Sequence, residues 1–389
     1  MPGRIYVDHA STTPLAPEAL EAMLPFLGAR FGNPSSLHRG GLEAREAVET
    51  ARGSVAALLR VPAGELVFTS SATESNNLAL KGIALAAGTK RRTLLATATE
   101  HISVLHPLRS LERRGFRVQL LPVDRHGLLD PDDLRRALTD DTLLVSVAHA
   151  SAEIGTVQPL DELCRVARDR GVPLHCDATL TASTPAWPPG PILPDLVTLT
   201  AHLMYGPQGA AALRVRGDLR LAPLIEGGEQ EGGLRAGAEP LAALAGFGAA
   251  ALLATREGGR RAGESEARAA RFRRAAAAGI DGLLMTGHPD RRVPGHVSLC
   301  VGGVDAEAML RDLDAEGIAA ASGSACTTAV RKPSHVLEAI GLDPVTARGA
   351  LTFSFGDLNS DDEPDLVSQA LGRIVTRLRS LSLLPRGGR

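Results

Sequence analysis

The sequence predicts an α/β protein: a mostly parallel, seven-stranded sheet flanked by helices, followed by a smaller C-terminal α+β domain. Two observations carry this. Over the first half of the chain, short apolar runs alternate with amphipathic stretches of helical period, the pattern of strands joined by crossover helices. A Gly-rich segment at 226–237 and a long Ala/Arg/Glu-rich stretch then interrupt the alternation, and strand and helix signals resume on a smaller scale. At 389 residues the chain is long enough for two cores.

Taken in order, the chain begins extended at Ile5 to Val7, and apolar residues at helical spacing follow over Pro17 to Leu27 and Gly41 to Leu59. Seven strand-like runs come next, at 65–70, 92–98, 116–123, 141–150, 172–178, 195–201 and 209–215. Helical patterns at Leu78 to Ala87, Val104 to Arg114 and Pro159 to Arg170 lie between several of them. The helix expected from about Leu241 to Ala278 is the domain connector. Beyond it, 293–301 and 349–355 read as strands, and Ala306 to Glu316 and the stretch from Pro364 as helices. This gives an N-terminal segment 1–14 that joins the small domain, a large domain 15–255 and a small domain 256–389. The closing PRGGR reads as disordered.

The formal charge of -2, without a basic block, gives no footprint for nucleic acid. No apolar stretch approaches a membrane span and the first residues lack a signal-peptide profile, which places the protein in the cytoplasm. Cys164, Cys176, Cys300 and Cys326 are widely spread, with no metal-ligand spacing and no disulfide framework. Only three of the 42 cationic residues are lysines, at 81, 90 and 332.

Seven segments carry a resemblance: VDHASTTP (7–14), FGNPSSLH (31–38), FTSSATESNN (68–77), TEHISVL (99–105), HCDA (175–178), the 226–237 segment and SGSACTTAVRKPSHVL (322–337). In this order they resemble cysteine desulfurases of the NifS/IscS type, within the class V aminotransferase group. The resemblance implies a pyridoxal phosphate (PLP) enzyme of fold type I, a homodimer that converts cysteine to alanine and leaves the sulfur as a persulfide on a mobile thiolate. By the same resemblance Asp177 pairs with the pyridine nitrogen, His101 stacks on the ring and handles protons, Ala72 and Thr73 bind the phosphate at a helix start, and Thr200 and His202 belong to the phosphate pocket. Cys326 is then the sulfur acceptor. From local sequence alone, Asp177 reads more readily as a turn or cap residue, and His101 equally well as a partly buried, satisfied histidine. The Ser-Gly-Ser-Ala-Cys-Thr-Thr context of Cys326 is unlike a core and favours a functional thiol.

Other positions depart from the family's pattern. Leu203 stands where the resemblance places the lysine that holds PLP and moves the substrate proton, a general acid-base role typically contributing ~10²–10⁴-fold. Ala152 replaces an asparagine and Leu180 a glutamine that contact the cofactor's phenolic oxygen. Ala238 replaces a threonine that reaches the phosphate across the dimer interface, and Gly232 replaces an arginine. Thr352 stands where an arginine clamps the substrate carboxylate, and threonine supplies neither the charge nor the fork.

These departures lead to a non-catalytic or non-standard homologue, with no covalent cofactor, that binds an iron-sulfur scaffold or sulfur-acceptor protein and uses Cys326 as sulfur acceptor or iron-sulfur cluster ligand; no other metal site is expected. The alternatives are an enzyme holding PLP non-covalently or through another lysine, a working desulfurase, and an inactive subunit paired with an active paralogue.

Overall fold

The computed structural model describes residues 3–88, 91–188, 190–322 and 334–381. Cys326, Lys90, Lys332 and the closing PRGGR lie outside the described residues.

Strand β1 (Ile5–Tyr6) is followed by helices α1 (Pro17–Leu27) and α2 (Arg39–Leu59). The large sheet then forms from β2 (Leu66–Thr69), β3 (Thr93–Thr97), β4 (Arg117–Leu121), β5 (Thr142–Ser146), β6 (Leu174–Asp177), β7 (Leu196–Thr200) and β8 (Ala211–Val215). Helices α3 (Ala72–Ala86), α4 (Ile102–Glu112), α5 (Pro131–Ala137) and α6 (Leu160–Asp169) fill the crossovers. Spatially the strands run β2-β8-β7-β6-β5-β3-β4. From β7 to β4 every pairing is parallel, while β8 runs antiparallel to both β7 and β2. Strands β5, β7 and β8 are buried throughout, which is why their sequences, apart from the Glu65-paired Arg214 of β8, are continuous apolar or small runs rather than alternating ones.

Helix α7 (Leu241–Gly279) leads to β9 (Leu283–Met285), β10 (His296–Val301), α8 (Ala306–Ala315), β11 (Ile318–Ala319), α9 (His335–Ala339), α10 (Pro344–Ala347), β12 (Ala350–Ser354) and α11 (Glu363–Leu381). Strands β12, β10 and β9 form an antiparallel sheet, and β1 pairs in parallel with β11. One apolar cluster gathers Val145, Leu174, Leu199 and Phe247; a second gathers Val7, Phe272, Val297, Phe353 and Leu371. Helix α7 thus places Phe247 in one core and Phe272 in the other, where the Phe272 and Phe353 rings lie 4.6 Å apart.

The apolar period marks only part of α3, and α5, β9, β11, α9 and α10 have no counterpart among the expected elements. Helix α3 begins at Ala72, at the helix start that the resemblance implies and six residues before the apolar period at Leu78, because its first turn faces a cavity and is polar. A capping box holds that turn: the Glu74 N–H donates to Ser71 Oγ at 3.2 Å and the Glu74 carboxylate accepts the Ser70 N–H at 2.9 Å. Helix α5, which hydropathy did not announce, starts on the Asp130 side chain, which accepts the Asp132 N–H at 2.8 Å, with Pro131 at its first position. Among the described residues no helix is long and apolar enough to cross a membrane.

Candidate functional site

A parallel sheet leaves its strand C-termini and the following helix starts facing the same way, and in such folds that edge is where ligands bind. Here the segments after β2, β3, β5, β6 and β7 meet at a cavity of about 340 Å³. Its walls include Ala72, Thr73, His101, Asp177, Thr200, His202 and Leu203. Asp8, Ser322, Ser334, His335 and Thr352 close it from the other side. Every cofactor-binding residue expected from the sequence therefore reaches one cavity, as do Leu180, Ala152 and Thr352. Ala238 does not line it; it is exposed on the 226–239 loop. Cys326 lies outside the described residues, although Ser322 and Ser334, the described residues on either side of it in the sequence, both line the cavity.

Asp177 ends β6 and is almost wholly buried. Asn76 Nδ2 donates to its Oδ2 at 2.8 Å and the Thr179 N–H to its Oδ1 at 3.1 Å. His101 caps α4, its Nδ1 accepting the Ser103 N–H at 3.1 Å. Its pKa is lowered, first by withdrawal of water and then by His335 and His106, against the opposing pull of Asp177. The His202 pKa is lowered by burial, and its Nδ1 has no partner. The Thr200 hydroxyl is engaged, donating to the Ala210 carbonyl at 3.3 Å.

Sequence reasoning gave no role to the remaining acids. Glu100 is fully enclosed at the cavity wall: its Oε1 accepts from Thr97 at 2.5 Å and from the Ala148 N–H at 2.8 Å, while Oε2 has no partner. Burial pushes its pKa up to about 8. Glu153 accepts from the Ser334 hydroxyl, and burial pushes its pKa up to about 7. Thr352 Oγ1 donates to the Glu153 carbonyl at 3.4 Å. The four acids Asp8, Glu100, Glu153 and Asp177 line the cavity, and among its described lining residues there is no lysine or arginine.

These residues fit part of PLP. The orphan N–H groups of the α3 start, with the Thr73 hydroxyl and the unpartnered His202 Nδ1, suit a phosphate. Asp177 suits a protonated pyridine nitrogen and His101 an aromatic face. The amine for covalent attachment is missing from the described lining: Leu203 is apolar, and Lys81, on α3, does not reach the cavity.

A family model described as aminotransferase class-V matches residues 5–367. The chain is 39% identical over 382 residues to "Cysteine desulfurase IscS" of Dictyoglomus turgidum, covering 98% of this chain and 97% of that protein. It is 41% identical over 381 residues to "Cysteine desulfurase IscS 1" of Archaeoglobus fulgidus, covering 98% and 99%. Among solved structures it is similar to a "NifS-like protein" with a TM-score of 0.90 at 30% identity, over 96% of this chain and 100% of that one. A NifS-like protein from Rickettsia africae matches with a TM-score of 0.85 at 26% identity, over 96% and 99%.

Proposed function

The chain belongs to the aminotransferase class-V family, among its IscS/NifS-type cysteine desulfurase homologues, and from that premise we propose that it serves sulfur trafficking or iron-sulfur cluster assembly without ordinary PLP-dependent desulfuration. Cys326 is the sulfur acceptor or cluster ligand in this reading. Its partners are a second copy of the chain and an iron-sulfur scaffold or sulfur-acceptor protein, in the cytoplasm. The observation that carries it is the missing fixed cation: among the described lining residues there is no lysine or arginine. Leu203 offers no amine, and Thr352, with its hydroxyl turned to the Glu153 carbonyl, offers no charge to a carboxylate. Among the described lining residues a cysteine zwitterion thus meets neither the lysine nor the arginine that the resemblance places at 203 and 352.

A second reading, PLP held without a covalent bond, is favoured by the gathering of Thr73, His101, Asp177 and His202 in one cavity. When bound, PLP supplies an electron sink. Asp177 would hold the ring nitrogen, His101 the ring face, and Ala72, Thr73 and His202 the phosphate.

The test is near-ultraviolet and visible absorbance with added PLP before and after borohydride, with mass mapping of any reduced adduct. The wild-type chain is expected to give no adduct and to form no alanine from cysteine. Leu203→Lys is expected to gain an adduct at position 203 and still to release no alanine, because the carboxylate anchor remains absent. Bound PLP without an adduct selects the second reading. A wild-type adduct on Lys81, Lys90 or Lys332 with alanine release overturns both.

A further inference from the structure

A chain of hydrogen bonds behind the cavity joins Asp177 to His101. Asn76 is fully buried and donates both amide hydrogens, one to Asp177 Oδ2 at 2.8 Å and one to Ser103 Oγ at 2.9 Å. The amide orientation follows from its neighbours: turned over, it would set its oxygen against a carboxylate oxygen. Ser103 Oγ, accepting from Asn76, lies 2.8 Å from His101 Nδ1. The same Nδ1 accepts the Ser103 backbone N–H, a donor that cannot reverse. Nδ1 therefore carries no proton, and the hydroxyl hydrogen of Ser103 is directed at it. Among the described residues Nε2 has no partner, and His101 lines the cavity.

We infer that Asn76 and Ser103 are positioning residues that hold His101 as a neutral imidazole with its proton on Nε2, so that it presents a hydrogen-bond donor to the cavity and not a base. Such a ring suits a ligand atom bearing a lone pair, a thiolate sulfur or a carbonyl or carboxylate oxygen, and takes no proton from the ligand. The proton-handling role expected of His101 from the sequence then falls to another group. The inference stands on the protein alone and holds whether or not PLP binds.

The test is the ring nitrogen signals of histidine-labelled full-length protein across neutral pH, with His101→Gln to assign them. Nδ1 is expected to show as an unprotonated acceptor and Nε2 as protonated. Ser103→Ala removes a donor to the neutral ring, so the His101 titration midpoint moves up by about half to one pH unit. Ser103→Thr restores it. Asn76→Ala frees the hydroxyl to turn and accept, which also raises the midpoint. In the Ser103→Ala background that second effect is lost, a non-additivity expected only if the two act in series. His335 and His106, which also face the ring, are left in place in every variant, and Asp177 keeps its hydrogen bonds from Asn76 and Thr179 in the Ser103 variants, whereas Asn76→Ala removes one of them. Should Asn76→Ala fail to fold, the Ser103 pair decides alone. A proton on Nδ1, or a midpoint that stays or falls in Ser103→Ala, overturns the inference.

Discussion

Glu153 sets a pH dependence that one substitution isolates. Burial raises its pKa from 4.5 to about 7, and the hydrogen bond from Ser334 only partly offsets this. The folded chain thus holds this proton more tightly than the unfolded chain. Its contribution to stability is complete below pH 4.5 and is lost as pH rises through about 7. Glu100 acts in the same direction, with its pKa near 8. His9, His149 and His296 oppose them at the acid side, since burial lowers each to about 4 and their contribution is lost as pH falls from 6.5 toward that value. The wild-type profile mixes these effects, so the comparison with Glu153→Gln carries the information. Glutamine keeps an acceptor for Ser334 and removes the titration. Between pH 4.5 and 7 the variant is expected to lose up to about 3 kcal/mol less stability than the wild type. Urea unfolding midpoints over a pH series measure this, and parallel profiles would mean that Glu153 is ionised in the fold.

At the scale of elements, the 226–239 loop is held to the sheet by one carboxylate. Glu231, in left-handed backbone at φ 51°, receives Arg52 through both oxygens at 2.8 Å and the Phe68 N–H at 2.7 Å. The Arg52 guanidinium lies 4.7 Å from the centre of the Phe68 ring. The Glu231 side chain is only 2% exposed. Removing one partner from such a pair strands the other charge, so Glu231→Ala is expected to cost about 3–5 kcal/mol. The double variant Arg52→Met, Glu231→Leu should cost much less, and urea denaturation of the two separates a stranded charge from lost packing. Motif reading located this loop but not its anchor, whose partners lie 163 and 179 residues away in sequence. The same distinction runs through the site. Most strands of the large sheet were legible because both faces are buried, the edge strand β4 excepted, and Thr73, His101, Asp177 and His202 were legible because the residues beside them form recognisable motifs. Asn76 and Ser103 were not: they lie inside the motifs at 68–77 and 99–105 without a role of their own, and acquire one only through contacts across 27 and 101 residues. The α3 start was legible through the motif, which places a helix start at Ala72 and Thr73, and not through the apolar period, which begins only at Leu78.

Across the whole molecule, the packing closes off the three cysteines among the described residues. Cys164 on α6 and Cys176 on β6 belong to the first core, and Cys300 on β10 is buried against Ile154, Val336 and Leu337. Burial pushes the thiols of Cys164 and Cys300 up to about 12 and that of Cys176 well above the ordinary range. Thiolate is the reactive form, so these three are both shielded and protonated at neutral pH. Cys326 sits instead among small polar residues in a segment whose flanking Ser322 and Ser334 line the cavity. Iodoacetamide applied to the native chain is therefore expected to modify Cys326 alone, with the other three reacting only after denaturation. Cys326→Ser should abolish native labelling and leave the urea unfolding transition unchanged. Peptide mapping by mass spectrometry reads both. Native labelling at Cys164, Cys176 or Cys300 as fast as at Cys326 would remove the chemical basis for assigning sulfur to Cys326. An unlabelled Cys326 would do the same, because a thiol closed to a small alkylating agent is closed to a sulfur donor.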